Sequence, residues 1–407
     1  MKKFISLTLL ALASHLAAAQ KTVEVTVGNP GNESRHDVPV VISLAPYGEV
    51  CSAVVACDGQ EIPCQLDDLN TDEYYDELCF LADLSKNEKK KYTVTLYSEG
   101  EPRSYPARVY AEMVMGNTKN KKLKKNQQDN YIESVTARGD AAYTYNLQHH
   151  HGVDFESELN GIRIYFDARQ TLDLYGKYHK QLELRETQFY TDDEQKQRGY
   201  GDDVLWVGQT FGLGAFRGWD GRQPTLVEPV RSRTQRIVSY GPLRTIVEVI
   251  DRGWKADPRK APVNMTLRYT QYAGHRDTDV DVFFSADVSD YRFSTGIINV
   301  KGSEEFSDKR GLRACWGTDY PSTDTLKWKR ETVGLALYVP QRHIASEEPA
   351  NKDNYTYVLK VGGAMMSYKV NYCSANESFG YHSAQEWFDY LKAWRRELDN
   401  PVSVTIR

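Results

Sequence analysis

The sequence predicts a mainly β fold in which a small N-terminal β-sandwich precedes a large antiparallel sandwich that ends in one helix. Short runs of β-branched and aromatic residues alternate with polar residues at a period of two along most of the chain. Turn-forming residues, such as those at 29–32, separate these runs. Helical spacing is confined to one segment near the C-terminus, at 383–399.

Composition and charge exclude several classes of protein. The chain has 407 residues, of which 40% are hydrophobic and 12% aromatic, too high a share for a disordered chain. Beyond the N-terminus no apolar run is long enough to cross a bilayer, so a polytopic membrane protein is excluded. The formal charge of −5 comes from interspersed basic and acidic residues, so we expect no nucleic-acid partner.

The first nineteen residues have the pattern of a signal peptide. Lys2 and Lys3 precede an apolar stretch at 4–16, and three alanines at 17–19 suit a signal peptidase. We expect cleavage after Ala19, an exported protein that is periplasmic or secreted, and no membrane span after cleavage.

The small sandwich is expected at residues 20–104. Val23, Val25 and Val27 alternate with polar residues, and further strand-like runs follow at 38–42 and 92–97. Two prolines and a charged cluster at 100–106 interrupt this periodicity and indicate a linker. The predicted organisation is therefore a signal peptide at 1–19, a small β-sandwich at 20–104 and a larger domain, the predicted catalytic one, at 105–407.

The larger unit is again rich in strands and ends in the helix. Period-two runs occur at 162–166, 236–250, 265–272, 280–284, 333–339 and 355–361. Ser383 and Glu386 have the spacing of a capping box. The apolar stripe that follows them before Pro401 consists of Trp387, Leu391, Trp394 and Leu398.

Several segments resemble a known group of proteins. The paired runs at 241–250 and 265–282 are similar to the strand rhythm of galactose-mutarotase-like super-sandwich domains. Together with 149–158, 199–206 and 214–220, they resemble an uncharacterised family of exported proteins common in polysaccharide-degrading Bacteroidetes. The resemblance implies a super-sandwich fold and activity on carbohydrates. The superfamily includes epimerases, polysaccharide lyases and domains of glycoside hydrolases, so the fold alone does not select a chemistry.

Two neighbouring segments carry residues suited to acid–base catalysis. On an extended backbone His149 and His151 share one face and His150 points to the other, while the carboxylates of 154, 156 and 158 share a face further on. Tyr175 and His179 alternate with apolar residues downstream, and cationic neighbours are expected to lower a tyrosine pKa. A polar, solvated strand face is the alternative. The candidate catalytic residues are His149, His151, Glu156, Tyr175 and His179.

Other residues are candidates for binding a sugar. Tryptophans stack on pyranose faces, carboxylates accept bonds from hydroxyl groups, and cations neutralise a uronate carboxylate. The acidic strand at 277–281 is alternatively explained by cross-strand pairing with Arg244 and Arg268. The candidate substrate-binding residues are Lys177, Asp202, Asp203, Trp206, Trp219, Arg268, His275 and Arg276.

Metal, thiol and lysine patterns leave alternatives open. Oxygen-bearing side chains at 68, 70, 72 and 76 are spaced as in calcium loops, although the glycine of an EF-hand is missing, so a solvated acidic turn is the alternative. The predicted metal ligands are Asp68, Asn70, Asp72 and Asp76, and no other cofactor is expected.

Export permits disulfides within Cys51, Cys57, Cys64 and Cys79, while buried free thiols explain them equally well. The lysine run at 119–125 is either a solvated loop or an edge that attracts an acidic polymer.

The functional expectation is an exported carbohydrate-active enzyme, a lyase that cleaves a uronate-containing glycan by β-elimination. It requires the histidines near 150, Tyr175, Lys177 and the later arginines to converge on one sugar-sized concavity. One alternative is a glycoside hydrolase that uses two carboxylates. A non-catalytic glycan-binding protein is the other. The candidate hydrolase carboxylates are Asp154, Glu156, Glu158, Asp202 and Asp203.

Overall fold

The computed structural model describes residues 20–116, 124–142 and 144–407. The predicted signal peptide and most of the lysine run lie outside these residues. Among the described residues, no helix has the length and hydropathy needed to span a membrane.

The N-terminal part of the chain forms two facing sheets. Its strands β1 to β7 are Gln20–Gly28, Arg35–Ser43, Ser52–Cys57, Gln60–Ile62, Cys64–Asp67, Glu77–Leu84 and Lys89–Tyr97. One sheet has the order β1-β7-β3-β4 and the other β2-β6-β5. Val23, Val25 and Val27 of β1 are buried in the core between these sheets, as the alternation predicts.

The larger unit begins with a run of strands and two short helices. Strands β8 to β20 are Val109–Glu112, Ser134–Arg138, Gly152–Ser157, Gly161–Tyr165, Leu172–Gly176, Asp202–Asp203, Arg217–Trp219, Pro224–Thr225, Ser232–Tyr240, Arg244–Trp254, Val263–Tyr272, Asp277–Phe284 and Phe293–Ile298. Helices α1 and α2 are Leu184–Thr187 and Asp193–Gln197.

The rest of the chain adds further strands and the long helix. Strands β21 to β27 are Glu304–Ser307, Leu312–Asp319, Glu331–Tyr338, Ile344–Glu347, Asn354–Leu359, Met365–Ser374 and Ser403–Ile406. Helix α3 is Ala384–Asp399. Single 3-10 turns occur at Ala45–Tyr47, Gly139–Ala142 and Gln341–His343.

A nine-stranded sheet packs against two five-stranded sheets to form the large sandwich. Its order is β21-β22-β23-β26-β19-β18-β17-β16-β9, and the facing sheets are β13-β12-β11-β10-β8 and β15-β14-β20-β25-β24. Phe155 of β10 meets Tyr269 of β18 across the layers, and Phe293 of β20 stacks on Phe284 of β19 at 4.9 Å between ring centroids. The expected mainly β, antiparallel sandwich architecture is confirmed.

The end of the chain returns to the N-terminal sandwich. Strand β27 pairs antiparallel with β1, with Val25 opposite Ile406. Residues 403–406 therefore extend the first sheet, which corrects the predicted assignment of the whole of 105–407 to the second unit. Arg244 of β17 also joins the units, since its Nη2 lies 2.7 Å from carboxylate oxygens of Asp67 and Glu77.

Helix α3 covers the outer face of the nine-stranded sheet. The Ser383 side chain accepts a bond from the backbone N–H of Glu386 and caps the helix, as predicted. The capping box is incomplete, because Glu386 accepts its bond from the backbone of His382 instead of Ser383. The predicted apolar stripe, including Trp387, packs on β22 and β23.

Gly334 of β23 provides a test of this helix packing. A Cβ atom at this position would lie 2.8 Å from ring atoms of Trp387. We expect Gly334→Ala to lower the free energy of unfolding by about 1–3 kcal/mol, because the indole and its helix must shift. Denaturant unfolding measures the loss. Gly362→Ala is the control, since nothing lies within 4 Å of its Cβ. Equal stability of the two variants would contradict the packing.

All six cysteines lie in described residues and are free thiols. Predicted pairing among the first four is therefore not seen, and the alternative of unpaired thiols holds. Cys79 is buried near Arg244 of the larger unit and Cys315 packs in the large core, and burial raises the pKa of each thiol to about 12.

Candidate functional site

A cavity of about 560 Å³ lies at one end of the large sandwich. It forms where the end of β22 and the start of β23 meet three loops from the facing layer, at 204–210, 298–302 and 352–353. This volume suits a small ligand or a sugar unit.

Three acidic residues line this cavity: Asp353 is exposed on its loop, and the other two lie on neighbouring strands. Asp319 ends β22 and Glu331 begins β23, and they are direct partners in the antiparallel ladder. Side chains at such partner positions point to the same face, with Cβ atoms about 4.5–5.5 Å apart. Val333, two residues after Glu331, is buried in the core on that face. The pairing thus places two acids at the open end of the core.

The surroundings of Glu331 raise its pKa above the ordinary value of a glutamate. Burial raises the pKa of the Glu331 carboxyl, and the nearby Asp202 carboxylate acts in the same direction. Asn376 Nδ2 donates a 2.6 Å hydrogen bond to Glu331 Oε2, which fixes the side chain and opposes the shift. Glu331 is therefore suited to donate a proton.

Aromatic and cationic side chains complete the cavity. Trp206 is 50% exposed although it lines the cavity, so its ring is available for stacking. Tyr320 lies beside the acids, and Lys301 and Lys352 are exposed lining residues that favour an anionic ligand. The predicted stacking residue Trp219 is not among the lining residues; it belongs to β14.

Several predicted catalytic residues lie elsewhere, on the outer face of the five-stranded sheet β13-β12-β11-β10-β8. Lys177 Nζ lies 2.5 Å from Glu156 Oε2, and both side chains are fully buried. Backbone N–H groups of Glu183 and Leu184 also donate to Glu156. The Tyr175 hydroxyl donates to the Gly201 carbonyl at 2.8 Å, and burial raises its pKa well above the usual value, opposite to the expected lowering. These contacts hold residues 181–201, here called the covering segment, on the outer face of the sheet.

The histidine run is not an extended strand. Strand β10 begins at Gly152, and His151 has a φ of 68°, so the expected alternation of the histidines is wrong. His151 stacks on Tyr145 at 3.8 Å between centroids, and His149 meets Tyr190 edge-on. Burial lowers the pKa of His149 to about 3 and of His151 to about 4, so both rings are neutral.

Asp202 and Asp203 are held by different cations. Asp203 Oδ2 lies 2.9 Å from Arg163 Nη2, which also binds Asp173 at 2.6 Å. Asp202 pairs with Lys196 at 2.6 Å. Burial raises the pKa of both carboxyls. Both carboxylates are thus held in ion pairs, and neither lines the cavity.

The remaining candidates lie apart from the cavity. His179 is exposed. Arg268 Nη2 pairs with Glu248 of β17 at 2.7 Å, not with the acidic strand at 277–281 as the cross-strand alternative predicts; Asp277 and Asp279 of that strand pair with Lys369. His275 and Arg276 line a second cavity of about 870 Å³ between the small sandwich and α3. Arg276 is itself paired with Glu377 at 2.6 Å. The expected convergence of all these groups on one concavity is therefore wrong.

The predicted calcium loop is explained by hydrogen bonds of its own backbone. Asp68 accepts bonds from the N–H groups of Asn70, Thr71 and Glu73, which lower its pKa. Asp72 and Asp76 also accept backbone bonds, from Tyr74 and Leu69. These contacts support the acidic-turn alternative, and calcium binding stays a prediction.

The fold and this cavity define a mainly β protein of two sandwiches with an acid-lined cavity at the end of the larger one. The chain belongs to the family described as a domain of unknown function, DUF4861, whose family model matches residues 27–404. No curated protein matches the chain.

Two solved structures from Enterococcus faecalis are similar in fold. One is an alpha-mannosidase from strain V583, with 9% identity and a TM-score of 0.48; the match covers 95% of this chain and 46% of that one. The other is a protein in the glycosyl hydrolase family 38, with 9% identity and a TM-score of 0.46, covering 95% and 47%. The chain thus spans about half the length of these structures.

Proposed function

We propose that the protein is a carbohydrate-active enzyme, a glycoside hydrolase. Its glycan binds in the cavity lined by Trp206, Asp319 and Glu331, which we call the Trp206 cavity. The observation that carries the proposal is the cross-strand carboxyl pair Asp319 and Glu331 in a cavity that also exposes an indole ring. Glycosidases need two carboxyl groups flanking the scissile bond, and aromatic rings stack on sugar faces.

The two acids have different proposed roles. Glu331 acts as the general acid that protonates the leaving oxygen, because burial raises its pKa. Asp319 acts as the carboxylate partner. Asp319 is assigned this role because it is the ladder partner of Glu331 and lines the same cavity.

The residues that the sequence assigned to β-elimination do not meet in this cavity, whereas a pair of acids does. A lyase needs a free base close to a cation that neutralises the uronate carboxylate. Tyr175 and Lys177 are instead held in buried contacts, and His179 does not line the cavity. Lys301 and Lys352 at the cavity support an acidic glycan as the substrate.

Product analysis tests the reaction type. Wild-type protein is incubated with pectic, algal, glycosaminoglycan and neutral glycans, and reducing ends and absorbance at about 235 nm are recorded. We expect new reducing ends without the absorbance of an unsaturated product. Absorbing products would reject hydrolysis in favour of elimination. Tight glycan binding without any product would favour a non-catalytic glycan-binding protein.

Trp206→Ala is expected to weaken glycan binding about 2- to 12-fold, which corresponds to the 0.5–1.5 kcal/mol typical of aromatic stacking. Because the side chain is half-exposed, thermal stability should stay nearly unchanged. Calorimetry with a bound oligosaccharide measures the loss. Trp219→Ala is the control, since Trp219 does not line the cavity. Equal weakening by the two variants would argue against stacking on Trp206.

Export is part of the proposal. Cleavage after Ala19 would leave β1 intact, because that strand begins at Gln20. Expression of the full chain in a bacterial host, followed by N-terminal sequencing of the periplasmic and secreted fractions, tests this. Mature protein starting at Gln20 is expected, and retention of Met1 in the cytoplasm would contradict it.

A further inference from the structure

Three buried side chains converge on the outer face of the sheet β13-β12-β11-β10-β8, the face that points away from the large core. Glu112 of β8 and Asp154 of β10 are direct ladder partners, and His150 lies in the turn before β10. His150 Nε2 is 3.5 Å from Glu112 Oε1 and 3.4 Å from Asp154 Oδ2. One ligand atom from each residue lies within 4.8 Å of the other two.

These groups lack hydrogen-bond partners although they are buried. Neither ring nitrogen of His150, neither carboxylate oxygen of Asp154 and not Glu112 Oε1 has a partner among the described residues. At most 1% of each residue is exposed. The distances from His150 to the acids exceed the usual 2.7–3.2 Å of an N–H···O bond. Buried polar atoms of native proteins are normally paired, so the cluster calls for a further component.

We propose that Glu112, His150 and Asp154 bind a divalent transition-metal ion, with Zn²⁺ as the best fit. Bonds of 2.0–2.2 Å to a tetrahedral ion place neighbouring ligand atoms about 3.4 Å apart. The two distances from His150 Nε2 match this value. An imidazole together with carboxylates suits Zn²⁺ better than Ca²⁺ or Mg²⁺, which prefer oxygen ligands alone.

The surroundings of the cluster support this assignment. The Tyr110 hydroxyl donates to Glu112 Oε2 at 2.7 Å, which orients the carboxylate and leaves Oε1 for the ion. The positive ion offsets the burial of two carboxylates that are ladder partners. A fourth ligand, such as a water molecule, would complete the tetrahedron.

The ion would act on structure and not in the proposed hydrolysis. None of the three residues lines the Trp206 cavity. The ligands come from two neighbouring strands and from the turn that precedes β10, so bound metal would fasten this turn to the sheet. Its loss should therefore loosen the segment before β10, and its test is independent of glycan turnover.

Metal binding and thermal stability test the site. Full-length mature protein is stripped with a chelator, dialysed and titrated with Zn²⁺, Co²⁺ and Ca²⁺ separately by calorimetry, and its thermal midpoint is recorded with and without each ion. We expect about one equivalent of Zn²⁺ to bind and raise the midpoint, visible absorption from bound Co²⁺, and much weaker binding of Ca²⁺.

Variants separate this site from adventitious binding. The double change Glu112→Gln with Asp154→Asn keeps the side-chain shapes and removes the buried charges, so it should fold without metal and bind Zn²⁺ more than about 100-fold more weakly. Tyr110→Phe should weaken binding about 10- to 100-fold as a positioning change. His343→Gln, at a buried histidine elsewhere, is the control. No Zn²⁺ binding by wild-type protein, unchanged binding by the double variant, or a preference for Ca²⁺ would overturn the proposal.

Discussion

Glu331→Gln is expected to lower kcat/KM on a cleaved glycan by about 10²- to 10⁴-fold, the usual contribution of a general acid. The amide keeps the shape of the side chain and can still contact Asn376, so the fold should be retained. Because only the protonated acid is active and burial raises the pKa of Glu331, wild-type activity should persist to higher pH than an ordinary glutamate allows. Initial rates across pH measure both effects.

The control for this variant is Glu304→Gln, at an exposed acid on β21 that does not line the cavity. It should keep wild-type rates and the wild-type pH profile. In Glu331→Gln, the fall in activity at high pH that comes from deprotonation of the acid should also disappear. A variant at position 331 with wild-type kcat/KM would remove Glu331 from the mechanism.

Lys177→Met is expected to lower the free energy of unfolding by about 3–5 kcal/mol, the cost of leaving one partner of a buried ion pair uncompensated. Lys177 Nζ lies 2.5 Å from Glu156 Oε2, and neither side chain is exposed. Lys177 also donates to the backbone carbonyls of Ser157 and Gln181, so the substitution removes three contacts of the ammonium group. Chemical denaturation measures the loss.

Glu156→Gln in the Lys177→Met background should recover part of the stability, because it removes the unpaired buried carboxylate. Lys392→Met is the matched control. It breaks a pair on the surface of α3 in which both side chains are about half-exposed, and it should cost at most about 0.5 kcal/mol. A loss at Lys177 no larger than at Lys392 would contradict a structural role for the buried pair.

Local patterns predicted much of the fold. The alternation of Val23, Val25 and Val27 identified the buried face of β1, and Ser383 identified the start of α3. Strand order was beyond this reasoning, because a period of two fixes which face is buried and not which strand is the neighbour. The return of β27 to β1 joins residues about 380 positions apart, and nothing local encodes that pairing.

The candidate site was predicted only in part. Trp206 was identified as a stacking residue and is exposed in the cavity. Asp319 and Glu331 were missed because they meet only through the register of β22 and β23. The available signal was an acid on each side of the segment 320–330, which lies between two strand-like runs. This signal identifies a pair only when the register of the two strands is known.

Glu156 and Lys177 had the pattern of an active site for a physical reason. Polar residues alternate on the outer face of a strand both when that face meets ligand and when another segment covers it. Here residues near 183 and 184 cover Glu156 and turn its charge into a buried structural contact. The left-handed conformation of His151 likewise left His150, not its two neighbours, fully buried beside carboxylates.

The most direct test of the account is a crystal structure of Glu331→Gln protein with an oligosaccharide soaked into the crystal. We predict a sugar ring packed on the Trp206 indole and a glycosidic oxygen within about 2.7–3.2 Å of the side chain at position 331, with Asp319 facing the anomeric carbon. A saccharide bound instead at Tyr190 and His149, with the Trp206 cavity empty, would contradict the account.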